Sequence, residues 1–189
     1  MKTIFISGIS RGIGKAIAQK FLAEGHAVIG TSIDGGVDFT HEKLTIIQLD
    51  LTSPAQIEAC SNMLSKLDVE IDILINNAGA LFDEDDTHVI IEKLRKTLEI
   101  NLIGTIDLTE HLIPYINTDG HIVNISSSAG SLGGKNLTEI EFANSSHFPF
   151  HYPAYKISKA ALNMYTRTLA ARFIMKKRTL LSLQYILDG

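Results

Sequence analysis

Five short runs in this chain, at residues 3–7, 27–32, 44–49, 71–75 and 121–126, are apolar through most of their length instead of alternating. A strand with one wet face alternates polar and apolar residues, so strands of this kind are buried on both faces. Such strands belong to a parallel sheet covered by helices on each side. The intervening stretches supply the helices. Ile17, Ala18, Phe21 and Leu22 recur at helical spacing within 14–23, and 54–67 opens on Pro54, suited to a first turn behind Thr52 or Ser53 as cap. Residues 92–112 and 154–173 read as long helices, and 179–183 as a candidate sixth strand.

Strand and helix therefore alternate from end to end, and right-handed crossovers turn that order into a Rossmann-type doubly wound α/β fold, a parallel sheet of about six strands in one domain spanning 1–189. With 189 residues, 45% of them hydrophobic, the chain can bury a full core. A net charge of −4 offers no basic face to nucleic acid or anionic lipid. Cys60 is the lone cysteine, so no internal disulfide forms; it reads as a small buried hydrophobe in a reducing compartment. The apolar run that opens the chain is too short for a signal core or a membrane span, which makes the cytoplasm the expected location. His147 and His151 have no acidic or thiol ligand in their flanks, so no metal site is expected there.

In a sheet of this kind ligands bind beyond the carboxyl ends of the strands. Directly after the first strand comes Ser7-Gly8-Ile9-Ser10-Arg11-Gly12-Ile13-Gly14, leading into a helix. Glycines permit positive φ and close approach of backbone to a pyrophosphate, while the free N–H groups and helix dipole favour its charge. The alternative is a glycine turn that merely packs helix on strand. The glycine spacing differs from the fingerprint of larger dinucleotide-binding dehydrogenases.

That spacing resembles the short-chain dehydrogenase/reductase family, and further motifs agree in order from about residue 3 to about 171. Asp50-Leu51 is similar to the family's acid-plus-apolar pair beside the adenine ring, and Asn76-Asn77-Ala78-Gly79 to its strand-end motif. Asn101 corresponds to the helix asparagine of the family's catalytic tetrad. In the serine run 126–128 the pattern of serine, two residues, then Gly130 selects Ser127 over Ser126 and Ser128. Tyr155-Lys156-Ile157-Ser158-Lys159 completes the set, and the segment around it is most similar to a carbonyl-reductase branch.

Tyr155 and Lys159 lie four apart on a predicted helix and share one face. An adjacent ammonium favours phenolate and brings a tyrosine, ordinarily near pKa ~10, into use as acid or base. The resemblance implies that Lys159 also holds the nicotinamide ribose, that Ser127 binds the substrate oxygen, and that Asn101 supports a water-linked proton relay. It implies nucleotide contacts at Gly8, Ser10, Arg11, Gly12, Ile13, Gly14, Ser32, Asp50, Leu51, Asn77, Ala78 and Gly79, besides Tyr155 and Lys159. Tyr152 precedes Pro153, which favours an extended rather than helical conformation, so it reads as a decoy.

The position of the family's NAD-selecting acid falls on Ser32, Asp34 comes two residues late, and Arg11 could meet a 2′-phosphate, so NADP(H) is favoured over NAD(H). The expected substrate is a small carbonyl or alcohol. Residues 135–150 look like an insertion between Ser127 and Tyr155. The chain stops where the family continues into a Pro-Gly turn, a lid and a last strand, with Gln184-Tyr185-Ile186-Leu187-Asp188-Gly189 in that place. An edge left open there would favour a homodimer. The competing function is a low-turnover or inactive nucleotide-binding protein, for redox sensing or interaction, lacking that lid.

Overall fold

The structure, a computed structural model, describes residues 1–132, 151–175 and the backbone of 181–185. The inserted stretch 135–150 and the tail 186–189 lie outside the described residues. Six parallel strands, β1 Thr3–Ile6, β2 Ala27–Ser32, β3 Leu44–Gln48, β4 Ile71–Asn76, β5 Ile116–Ile125 and β6 Leu181–Tyr185, form one sheet in the order β3-β2-β1-β4-β5-β6. This is the Rossmann-type doubly wound arrangement expected from the apolar runs.

Side chains on the central strand alternate between faces that are both covered. Ile4 and Ile6 join Val28, Ile75 and Ile125 on one side, under Ala18 and Leu22 of α1 Gly12–Ala23. Phe5 joins Ile29, Ile47, Leu74 and Ile122 on the other, under Ile57 and Leu64 of α2 Pro54–Leu67. Leu108 and Leu112 of α4 Thr105–Leu112, with Leu169 and Phe173 of α5 Pro153–Met175, extend that second layer. Each of these side chains contributes about 1.5–3 kcal/mol by leaving water, which explains why the strands read as continuous apolar runs. Ser53 caps α2, its hydroxyl accepting from the Gln56 N–H at 3.4 Å behind Pro54, as the sequence suggested.

Three elements differ from the sequence reading, the first being the fifth strand, expected over 121–126, which spans Ile116–Ile125. The single helix expected over 92–112 is interrupted: α3 Ile91–Leu98 runs into a π-helical segment, Glu99–Gly104, before α4 begins. The Thr105 hydroxyl donates to the Ile100 carbonyl at 3.2 Å, and Gly104 fits where a Cβ would stand 2.1 Å from the Leu51 carbonyl oxygen. A wide turn here lets the helix pass close over the loop after β3. The last strand is Leu181–Tyr185 rather than 179–183, and Gln184 and Tyr185 pair with Asn124 and Ile125. Those two residues, read as standing where a turn would fall, belong to the sheet.

β1 and β4 are neighbours whose chains depart to opposite sides of the sheet, so a crevice opens between their carboxyl ends. No helix among the described residues is long and apolar enough to cross a membrane.

Candidate active site

The two strands that flank the crevice are joined at their ends by side chains. Buried Ser7, just past β1, uses its hydroxyl to accept the N–H groups of Asn77 and Ala78, each at 3.0 Å. Asn77 replies through its Nδ2, donating to the carbonyls of Ser7 at 3.0 Å and Gly8 at 2.8 Å. The Gly8 N–H is held by the Thr31 hydroxyl at 3.1 Å. These bonds fix the glycine turn against the strand-end motif.

The turn is built for a backbone approach. Gly8 and Gly12 have φ of 74° and 59°, the left-handed region. A Cβ on Gly14 would stand 2.1 Å from the Gly8 carbonyl oxygen and 2.3 Å from Asn77 Nδ2, whereas one on Gly12 would enter open space. Arg11 occupies the N-cap of α1 with no side-chain cap, so the first-turn amides are not taken up by a capping side chain. An open cradle, uncapped amides and the positive end of a helix fit the pyrophosphate of a dinucleotide. Ser10 and Arg11 are exposed on this turn, and Ile13 reaches into the crevice.

Three further positions that the sequence reading assigned to the nucleotide, Ser32, Asp50 and Leu51, lie at or just beyond the ends of β2 and β3. Ser32, buried at the end of β2, donates to Asp34 Oδ1 at 3.1 Å, and the same oxygen accepts the Gly36 N–H at 3.3 Å. These bonds hold the Asp34 carboxyl below its usual range. Asp50 accepts from the N–H and hydroxyl of Thr52, and Leu51 is buried beneath Gly104.

A crevice of about 730 Å³ is lined by Asn77, Gly79, Ser127, Tyr155 and Lys159 among others. Ser127 follows β5 and opens a short 3₁₀ turn, Ser128–Gly130, whose Ala129 N–H its hydroxyl accepts at 3.2 Å. Gly130 packs where a Cβ would lie 2.6 Å from the Lys159 carbonyl carbon, bringing the serine turn onto α5. Burial pushes the Tyr155 phenol up, and the nearby Ser127 side chain opposes the rise. Lys159 is almost wholly buried, its Nζ donating to the Ile125 carbonyl at 2.8 Å and standing 5.6 Å from the Tyr155 ring centre. Desolvation pulls its ammonium down to about 8.

Asn101, in the π-helical segment, is buried and its side chain is fully engaged. Its Oδ1 accepts the Ala80 N–H at 2.7 Å, and its Nδ2 donates to the Ala80 carbonyl and to the Ser158 hydroxyl. It ties the loop after β4 to α5 and does not line the crevice. Ser126 is buried and donates to Asn163, which also holds the Gly130 carbonyl. Residues that the sequence did not single out therefore support the site: Ser7, Thr31, Ser158 and Asn163. Their partners lie far away along the chain, and no local pattern marks them.

A family model described as short chain dehydrogenase matches residues 2–139. The chain belongs to the short-chain dehydrogenase family. Among curated members of the short-chain dehydrogenase family, it is 28% identical over 165 residues to a 1-hydroxy-2-glutathionyl-2-methyl-3-butene dehydrogenase of Rhodococcus sp. strain AD45, covering 87% of this chain and 68% of that protein. It is 33% identical over 139 residues to the NADP-dependent 3-hydroxy acid dehydrogenase YdfG of Escherichia coli strain K12, covering 68% of this chain and 55% of the relative. The chain thus spans about half to two thirds of the length of the curated relatives it matches. A short-chain dehydrogenase/reductase of Burkholderia multivorans solved with bound NADP superposes with a TM-score of 0.77 at 32% identity, over 95% of this chain and 75% of that one. A short-chain dehydrogenase family protein of Francisella tularensis gives 0.81 at 25% identity, over all of this chain and 70% of that one.

Proposed function

We propose that this short-chain dehydrogenase transfers hydride between a nicotinamide nucleotide, NADP(H) in preference to NAD(H), and a small carbonyl or alcohol, with Tyr155 as the acid/base. The observation that carries the reading is the gathering of Ser127, Tyr155 and Lys159 in one crevice that Ile13, from the uncapped glycine turn, also lines. A nicotinamide nucleotide bound there supplies the hydride and, when oxidised, a positive charge.

The chain's own groups handle the proton. In reduction the Tyr155 hydroxyl donates its proton to the carbonyl oxygen, which Ser127 holds and whose developing charge it stabilises. The phenolate left behind is favoured by the Lys159 ammonium, which remains largely charged below about pH 8. By its resemblance to the family, Lys159 would also hold the ribose hydroxyls of that nucleotide. Asn101 contributes by holding the loop at Ala80 and the helix at Ser158 in register around these groups; a water-linked relay would draw on its backbone, because its side chain is engaged.

Two observations support the NADP preference. Arg11 is exposed at the head of α1, and the one carboxylate at the end of β2, Asp34, is already engaged by Ser32 and Gly36. The 3-hydroxy acid dehydrogenase YdfG of Escherichia coli is NADP-dependent, and the Burkholderia structure holds NADP. The similarity of the tyrosine segment to carbonyl reductases supports an aldehyde, ketone or quinone as substrate.

The test is a fluorescence titration with NADPH and NADH beside NADPH oxidation over a panel of aldehydes, ketones and quinones. Tighter binding of NADPH, with turnover that drops about 10²–10⁴-fold in Tyr155→Phe while nucleotide affinity holds, is expected. Binding without turnover of any carbonyl would replace this reading with a nucleotide-binding protein of sensing or interaction type. Binding of neither nucleotide would remove both.

A further inference from the structure

The helix that carries Tyr155 and Lys159 begins without a cap of its own. Its first residue is Pro153, which has no N–H, and the residue before it, Tyr152, accepts the first helical bond from the Lys156 N–H at 3.1 Å. Tyr152 cannot cap with its side chain, and it sits at φ 45°, a left-handed conformation that costs an aromatic residue about 1–3 kcal/mol. The amides of Ala154 and Tyr155 would be orphans at the base of the active site.

Both are met by a residue 71 positions earlier in the chain. Asp83, in the loop after β4, is 1% exposed and places Oδ2 2.6 Å from the Ala154 N–H and 3.4 Å from the Tyr155 N–H. The same loop fixes Tyr152: the Asp86 N–H closes a turn onto the Asp83 carbonyl at 3.0 Å, and the Asp86 carbonyl accepts the Tyr152 N–H at 3.1 Å. Lys93 clamps the Asp86 carboxylate at 2.7 Å. A carboxylate taken out of water costs several kcal/mol, and Asp83 Oδ1 has no hydrogen-bond partner among the described residues. A neutral acceptor would serve a helix end more cheaply on a surface. Here the cap is buried, long-range and aimed at the two residues that end in the catalytic phenol.

We propose that Asp83 is a positioning residue for Tyr155, its buried carboxylate reaching from the loop after β4 to cap α5 and fix where the phenol stands. Leu81 and Glu84 of this loop line the same crevice as Tyr152 and Tyr155, so one short segment shapes the site and holds its acid. The importance given to Tyr155 rests on the function proposed above; the placement of its ring does not.

The test therefore reads placement apart from turnover. In protein labelled at tyrosine Cζ, with the Tyr155 resonance assigned by its loss in Tyr155→Phe, the phenol is titrated while hydrogen exchange is followed at Ala154. The groups around that phenol are Ser127, Tyr152, Lys156, Lys159 and Asp83 itself. Asp83→Ala is expected to lose about tenfold of the Ala154 protection and to let Tyr155 titrate at lower pH, toward an ordinary tyrosine, as its burial is relaxed. Asp83→Asn keeps an acceptor and is expected to retain both within about twofold. With an active carbonyl, kcat falls about tenfold in Asp83→Ala and recovers in Asp83→Asn, at unchanged NADPH affinity. If Asp83→Ala does not fold, Asp83→Ser, one atom too short to reach Ala154, is scored in its place. An unmoved Tyr155 titration and intact Ala154 protection in these variants would overturn the proposal, as would an Asn variant that behaves like Ala. Absence of turnover in the unaltered protein would count against the proposed function alone, and the resonance and exchange data would still decide the role of Asp83.

Discussion

Gly12 and Gly14 are two residues apart, and the structure assigns them different duties. Gly14 is a packing position: a methyl there meets the Gly8 carbonyl and the Asn77 amide group, so the turn itself must shift. Gly14→Ala is expected to destabilise the fold by about 1–3 kcal/mol, seen as a lowered midpoint in urea. Gly12 has open space around the place of its Cβ and only its φ of 59° to defend, worth about 1–2 kcal/mol. In the proposed function that space receives the pyrophosphate, so Gly12→Ala should cost little more than that strain yet abolish NADPH binding in a fluorescence titration. Equal effects of the two substitutions on stability and on binding would contradict the division. Lone glycines at this spacing are visible in the sequence, but which one guards packing and which guards the cradle is not. That distinction depends on Asn77, a residue brought back by β4.

The helices and strands were legible wherever a single period governs them. The runs at β1 to β4 and the helix at α2 stand where hydrophobic spacing puts them, because burial on a fixed face is all that spacing encodes. Residues 92–112 failed for a physical reason: the π-helical segment is held by Thr105 reaching five residues back to Ile100 and by contact of Gly104 with the loop after β3. Neither leaves a mark in a 3.6-residue period. Gly104→Ala puts a methyl into the Leu51 carbonyl, and the segment can relieve it only by moving away from the sheet. The expected result is a loss of about 1–3 kcal/mol in chemical denaturation, with increased hydrogen exchange at Ala80, whose N–H depends on Asn101. Unaltered exchange at Ala80 would mean that the π-helical segment does not govern where Asn101 stands. The candidate catalytic positions were visible as motifs; the polar side chains behind them were not, since Ser7, Ser158 and Asp83 find their partners across the fold.

Across the molecule as a whole, Lys159 is a burden. Its ammonium is buried among sheet and helix, and its pKa falls from 10.5 to about 8. Because the unfolded chain binds that proton more tightly, stability from this group is lowest below pH 8 and recovers as pH rises from about 8 to 10.5. The shift corresponds to about 3 kcal/mol at neutral pH. Lys159→Met is expected to raise the melting temperature at pH 7, to lose that advantage progressively toward pH 10, and to turn over no carbonyl. A variant less stable than the parent at pH 7, or an advantage that grows with pH, would show that the bond to the Ile125 carbonyl outweighs desolvation.

The crevice between β1 and β4, by contrast, comes with the connectivity of the sheet and depends on none of the reacting groups. Selection for durability alone would therefore discard the lysine and leave the sheet and its crevice standing.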